Sequence, residues 1–332
     1  MKKIKSEGSM VNDRSIELIN VVKNYVNELE LSIKFAYVGG SVGRGDADQF
    51  SDIDLTVFTE SSVKTESINV LYDGEIIQID ILHMNEFPSV QFIMNSPWNY
   101  RFLNEITIIR DREGELCKIR DWASDYFHTK QGKRKMIEQV SEIVQERNLF
   151  ALDCVKNQKS YSAMNAALGA WAEAGFLYLF LKCGSLSTGS LFPQIEKMEN
   201  HFKEFKQVCP FVIKQDLLQL STTLSNFRTF LRKQGYSYEF GLSKLQDILC
   251  ERKIQRLLSQ QDYYNLMWQM YGEVFWLYLE TSDGLAFENY FENLPIELQE
   301  GLSKMGFIPL GNEEVKKLCS LTDELLTLCH LN

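Results

Sequence analysis

YVGGSVGRGDADQFSDIDLTVF, Tyr37 to Phe58, is the stretch on which the fold turns. An apolar run breaks at Gly39, Gly40 and Ser41, stays polar for ten residues, and returns as a strand-like segment carrying Asp52 and Asp54 one residue apart. Consecutive glycines let a backbone turn tightly and come close to a ligand, with N–H groups and the Ser41 hydroxyl free to meet phosphate oxygens. Alternate residues of a strand share a face, so the two carboxylates point the same way. Like charges that close repel unless a cation lies between them. Hard oxygen ligands beside a phosphate cradle suit Mg²⁺ holding a nucleoside triphosphate.

A third acid fits that plan. Asp80 lies in the strand-like EIIQIDILHM, in phase with Gln78 and Leu82. On a strand neighbouring the first, it would act as a metal ligand, as a general base for an incoming hydroxyl, or as both. The competing reading is an acid at a strand edge facing water.

Gly40 and Ser41, then Arg44, Gly45, Asp46 and Ala47, closing on Ser51-Asp52-Ile53-Asp54-Leu55, resemble the signature of the nucleotidyltransferase superfamily that includes DNA polymerase β. The resemblance covers roughly residues 13–120. It implies attack by an acceptor hydroxyl on the α-phosphorus of a nucleotide, with pyrophosphate leaving. By position, Gly40 and Ser41 would hold the triphosphate, Asp52 and Asp54 would bind Mg²⁺, and Asp80 matches the third carboxylate. Arg44 would meet phosphate or brace the loop. The run IIRDREGEL also resembles the close of the head domain in antibiotic nucleotidyltransferases. A surface turn beside an acid-bearing strand, or a family member without activity, is the bland alternative.

Outward from that stretch, the chain has 332 residues, more than one hydrophobic core usually holds, so two domains are expected. An amphipathic helix is expected over residues 13–29, capped by Asn12 or Asp13, followed by strands at Ile33–Val38, Ile53–Phe58, Glu75–Leu82 and Thr107–Arg110. Beyond about residue 120 the pattern turns helical: 133–157, 161–182, 194–208, 211–233, 241–281 with a break, and 311–330. The expected fold class is therefore α/β, a nucleotidyltransferase-type mixed sheet with helices over residues 1–120, then an all-α helical bundle over 121–332 that binds the acceptor.

A net charge of -10 offers no global field for nucleic acid and favours small or cationic substrates. Seven scattered cysteines without a CxxC pair suit reduced thiols in a cytoplasm. The basic start MKKIK is followed by SEGSMVND, where a signal peptide would need an apolar core. Ala163–Leu181 is long enough for a membrane span, but Asn165 and Glu173 interrupt it, and a buried bundle helix is expected instead.

On that helix Asn165, Gly169, Glu173 and Phe176 share a face, making Asn165 and Glu173 candidate acceptor contacts. Glu173, in apolar company, needs either a substrate amine or hydroxyl, or a basic residue of a neighbouring helix. Between Leu257 and Ser303 eight acids meet no Lys or Arg, a composition suited to a polycationic aminoglycoside. Yet Tyr264, Trp268, Tyr271, Phe275 and Tyr278 form one helical stripe with Glu273 opposite, which reads as core plus solvated face.

The leading functional reading is transfer of AMP from ATP, with Mg²⁺, to a hydroxyl of a small molecule, an aminoglycoside-type antibiotic above all, as in antibiotic resistance. A protein-modifying or toxin-neutralising transferase and a non-catalytic nucleotide sensor are the alternatives. No histidine follows an arginine at the spacing that marks a helical RNase partner, and no basic stripe with interleaved aromatics suggests a nucleic-acid substrate.

Overall fold

The computed structural model describes residues 11–29, 31–60, 65–211, 213, 217 and 219–330. The chain divides into two compact units, Met1–Ile93 with Tyr100–Asp125, and Met94–Asn99 with Tyr126–Asn332. The start MKKIKSEGSM lies outside the described residues.

The first unit is a mixed α/β head. In chain order it holds α1 (Asp13–Glu28), β1 (Ile33–Val38), α2 (Gly40–Arg44), β2 (Ile53–Thr59), β3 (Glu66–Tyr72) and β4 (Glu75–His83). After α3 (Val90–Asn95), whose last two residues belong to the second unit, come β5 (Thr107–Asp111) and α4 (Glu115–His128), which passes into that unit at Tyr126. The strands form one sheet in the order β3-β4-β2-β1-β5. β2 and β4 run parallel, while β1 pairs antiparallel with both β2 and β5.

β3, absent from the sequence reading, is the sheet edge and pairs antiparallel with β4 through a two-residue turn. Asp73 and Gly74 both take positive φ there, 50° and 79°. That is the conformation an Asp-Gly hairpin turn requires.

One face of the sheet is the core. Leu18, Val22 and Val26 of α1, spaced by four, pack on Ala36 and Val38 of β1, on Ile53, Leu55 and Val57 of β2, and on Ile77 and Ile79 of β4. Each is essentially buried, and burying such a side chain contributes roughly 1.5–3 kcal/mol. Because strand side chains alternate, filling this face with the odd positions of β2 and β4 turns Asp52, Asp54, Thr56, Gln78 and Asp80 to the other.

The second unit is helical. α5 (Lys130–Lys156), α6 (Ser160–Cys183) and α15 (Asn312–His330) pack on one another. Between them run α7 (Leu191–Ile195), α8 (Glu199–Val208), α9 (Gln219–Lys233), α10 (Glu239–Leu242), α11 (Lys244–Ser259), α12 (Tyr263–Thr281), α13 (Phe287–Glu292) and α14 (Ile296–Lys304). Fully buried Ala163, Ala167, Ala170 and Ala174 let neighbours approach α6 closely. It is the one helix among the described residues long and apolar enough to cross a membrane, and 56% of its most apolar stretch is buried inside the protein.

The helix expected over 194–208 is divided into α7 and α8, and the break expected within 241–281 falls at Gln261, whose φ is 57°. Of the helix expected over 211–233, residues 212, 214–216 and 218 lie outside the described residues, and α9 begins at Gln219.

Candidate active site

The Gly-Ser segment, expected as an open turn, is the first turn of the short helix α2. Gly40 has φ +57°, and a Cβ there would overlap the Asp54 carboxylate. The glycine is what lets that carboxylate lie against the α2 backbone. Gly43 is constrained by space: an added Cβ would sit 2.5 Å from the Glu105 carbonyl oxygen and 2.6 Å from that of Val38.

Ser41 Oγ donates to Ser51 Oγ at 3.0 Å, and buried Ser51 Oγ accepts from the Asp48 amide at 2.9 Å. Asp48 Oδ1 in turn accepts from the Phe50 amide. The polar stretch between α2 and β2 is thus folded on itself. Its other side is pinned by α1, where the cap residue Asn12 donates to Ala47 O at 2.8 Å and Ser15 Oγ accepts from the Ala47 amide at 3.0 Å.

Asp52 and Asp54 stand where β2 begins. No protein group among the described residues hydrogen-bonds or pairs with the Asp52 carboxylate, although that residue is only partly exposed. Asp54 is exposed, and its carbonyl accepts from the Gly39 amide at 2.8 Å.

Parallel pairing sets Asp54 opposite Gln78 and Thr56 opposite Asp80. Asp80 therefore shares the face of Asp54, one strand over, about 4.8 Å, and two residues further along, roughly 6.6 Å, with Asp52 two residues farther still. Ser67 Oγ on β3 donates to Asp80 Oδ1 at 2.6 Å. Tyr37 of β1 is buried on the same face, hydrogen-bonded with Thr56. Burial pushes its phenol up to about 12, with the Asp80 charge adding to the rise. Phe102 stacks on Tyr37 at 5.8 Å, and Phe87 on Phe35 at 4.3 Å, closing that end of the face with aromatic rings.

Among the described residues no three acidic, histidine or cysteine side chains gather closely enough to hold an ion by themselves. That is compatible with Mg²⁺, which is usually held by one or two carboxylates plus the oxygens of its phosphate ligand and water. Asp52 and Asp54, adjacent hard-oxygen donors beside a glycine cradle, fit such an ion. Asp80 stands apart from them, anchored to β3.

Arg44 braces the loop: Nε lies 3.2 Å from Asp46 Oδ2 and NH1 3.4 Å from Glu105 Oε2. Both partners are acidic, so its charge is answered within the head.

In the helical unit, Glu173 has both oxygens engaged. Oε1 accepts from the Trp98 indole at 2.6 Å, and Oε2 pairs with Arg147 of α5 at 2.9 Å. Its ionic partner is thus the basic side chain of a neighbouring helix. Asn165 is buried, its Oδ1 accepting from the Tyr271 hydroxyl.

The acid-rich stretch is also partly answered internally. Glu273 meets Arg228 and Lys253, Asp262 accepts from Asn265, and Glu288 accepts from Ser162. The aromatic stripe of α12 is core at Tyr271, which stacks on Phe307 at 4.5 Å.

Ser51, Ser67 and Tyr37 went unassigned in the sequence. Ser51 stands in the motif itself, and Tyr37 is in phase with Phe35 on β1; Ser67 becomes visible only once β3 is recognised.

Residues 19–110 match the model of the nucleotidyltransferase domain family. A nucleotidyltransferase-like protein from Exiguobacterium sibiricum 255-15, solved by crystallography, is similar over 88% of this chain and 89% of that one, at 13% identity and a TM-score of 0.34. No curated protein matches the chain.

Proposed function

We propose that this protein is a Mg²⁺-dependent nucleotidyltransferase that moves AMP from ATP to a hydroxyl of a small molecule and releases pyrophosphate. The observation that carries the reading is the contact between Gly40 and Asp54, which sets one carboxylate of the Asp52/Asp54 motif directly against the turn assigned to the phosphates. Asp52 and Asp54 are assigned to Mg²⁺, and Gly40 and Ser41 to the triphosphate, through first-turn amides that have no acceptor within α2. Bound there, Mg²⁺ would neutralise charge on the phosphates and on the departing pyrophosphate.

Asp80 is assigned as the general base. Ser67 fixes one of its oxygens, and the other is left to take the proton from the acceptor hydroxyl as that oxygen bonds to the α-phosphorus. The bond from the α-phosphorus to the bridging oxygen breaks, and pyrophosphate carries the electron pair away. Arg44 acts as a brace rather than as a phosphate ligand. The helical unit is assigned to acceptor binding, without Glu173, whose oxygens are taken. An aminoglycoside-type acceptor rests on the resemblance of the layout and on the exposed acids of α13 and α14, not on a pocket chemistry.

The test is pyrophosphate release by the full chain with Mg²⁺ and each nucleoside triphosphate, across aminoglycosides and lincosamides, with Asp52→Asn plus Asp54→Asn as the blank. Acceptor-dependent release that disappears in the blank is the expected result. Nucleotide binding with no release for any acceptor would sink the small-molecule reading in favour of a protein acceptor or a sensor.

A further inference from the structure

The helical unit contains a pocket of about 580 Å³ between α5, α6, α12 and the turn leading into α13. That volume lies in the range of small-molecule sites. Its wall is made by one face of α6, where Ser162, Asn165, Ala166 and Gly169 recur at helical spacing, and by Phe275 and Tyr278 of α12. The mouth is apolar and open to water: Phe150 is 57% exposed, Leu279 49% and Leu285 44%. Half-exposed apolar side chains grouped around one cavity are where an apolar ligand would be covered.

One polar group in that wall lacks a partner. Asn165 is 7% exposed, and its Nδ2 is buried with no hydrogen bond. Its Oδ1 is used by Tyr271, a phenol whose burial keeps it protonated and therefore donating. Two amide N–H bonds are thus left without an acceptor, a state that costs about 1–3 kcal/mol unless something supplies one.

The charged groups nearby bias what that something is. Arg147 spends NH1 on Gly169 O and Glu173, and among the described residues its other guanidinium nitrogens have no protein partner. Lys159, exposed and also at the pocket, has no ion-pair partner among the described residues. The adjoining acid, Glu288, is occupied by the amide and hydroxyl of Ser162 at 2.8 and 2.6 Å.

We infer that this pocket binds a small molecule with a flat apolar body and an anionic, hydrogen-bond-accepting head such as a carboxylate. Arg147 and Lys159 supply the positive rim that receives the head, and Asn165 Nδ2, buried in the α6 wall, becomes its donor once that side chain turns outward. The body lies between Phe275, Tyr278 and the apolar mouth. A polycation is not what these donors would hold, so the site is separate from the acceptor proposal and does not rest on chemistry in the head.

The test needs neither nucleotide nor Mg²⁺. The full chain is titrated by calorimetry with 1-naphthoate and with 1-naphthylmethylammonium, which share a ring system and differ in the sign of the head. Saturable binding of one naphthoate per chain is expected, at least about tenfold tighter than the ammonium. Leu279→Trp, which narrows the mouth from a half-exposed position, is expected to weaken naphthoate by about tenfold or more, and Lys159→Glu to erase the preference between the two probes. Asn165→Leu removes the donor and is expected to weaken naphthoate as well; thermal melts show whether it folds. If it does not, the Leu279 and Lys159 variants decide. Absence of saturable binding, a preference for the ammonium, or naphthoate binding indifferent to Leu279→Trp would overturn the assignment.

Discussion

At Gly40 a single methyl group would meet two objections at once. The residue sits at φ +57°, where a side chain is strained, and the new Cβ would fall on the Asp54 carboxylate. Gly39, its neighbour, has φ -105° and nothing within 4 Å of an added Cβ. Gly40→Ala is therefore expected to destabilise the head by about 1–3 kcal/mol and to lower kcat/KM for pyrophosphate release by about 100-fold, since a displaced catalytic group costs rate steeply. Gly39→Ala is expected to stay within a few-fold of the parent in both. Equal losses in the two variants would mean that the Asp54 contact is not what Gly40 provides. The glycines and the paired acids were legible because motif and strand alternation are local. The Ser67 anchor of Asp80 was not, because it depends on which strand lies beside β4.

At the scale of elements, β3 is the instructive omission. Its partner was recognised, and the turn Tyr72-Asp73-Gly74-Glu75 between two alternating runs is itself a strong hairpin signal. The helical unit hides more, since its decisive contacts join helices far apart in sequence. Arg228 of α9 is fully buried, donating to Gly241 O at 3.0 Å, to Asp247 at 2.9 Å and to Glu273 at 3.1 Å. Lys253 of α11 holds the other oxygen of Glu273 at 3.2 Å, so α9, α11 and α12 are tied at one point. Periodicity put Glu273 opposite the aromatic stripe but gave no sign that two cations wait there.

Removing one member of that cluster strands the rest. Arg228→Met is expected to destabilise the helical unit by about 3–5 kcal/mol in urea unfolding. Burial works to raise the Glu273 pKa, but the charges of Lys253 and Arg228 outweigh it and hold the carboxyl below its ordinary 4.5. A depressed folded pKa contributes stability that is complete above the ordinary value and is lost as pH falls through the folded one. The parent should therefore lose this contribution only in acid below 4.5, and the acid limb of Arg228→Met should move to higher pH. A urea midpoint for the variant that matches the parent between about pH 3 and pH 7 would contradict this account of the cluster.

At the scale of the whole molecule, composition separates a mixed head from a helical tail, because alternation gives way to helical spacing near residue 120. What composition does not carry is that the chain leaves the head at residue 94, contributes six residues to the helical unit, and returns. Trp98 is the reason that segment belongs there. It is 1% exposed, meets Phe180 edge-on at 6.1 Å, gives its indole N–H to Glu173 and its amide to Gln139. A stretch of six residues with a single tryptophan has no periodicity by which to announce such an insertion. Trp98→Ala would open a cavity beside Phe180 and leave Arg147 as the remaining partner of Glu173, so a loss of about 3–5 kcal/mol is expected in the unfolding of the helical unit. The head keeps its own core of α1 against β1, β2 and β4. Binding of a fluorescent nucleotide with Mg²⁺ should consequently survive at temperatures where the variant remains folded. An unchanged unfolding midpoint would show that Trp98 is not part of the tail's core, whereas loss of nucleotide binding in the folded variant would show that the inserted segment also supports the head.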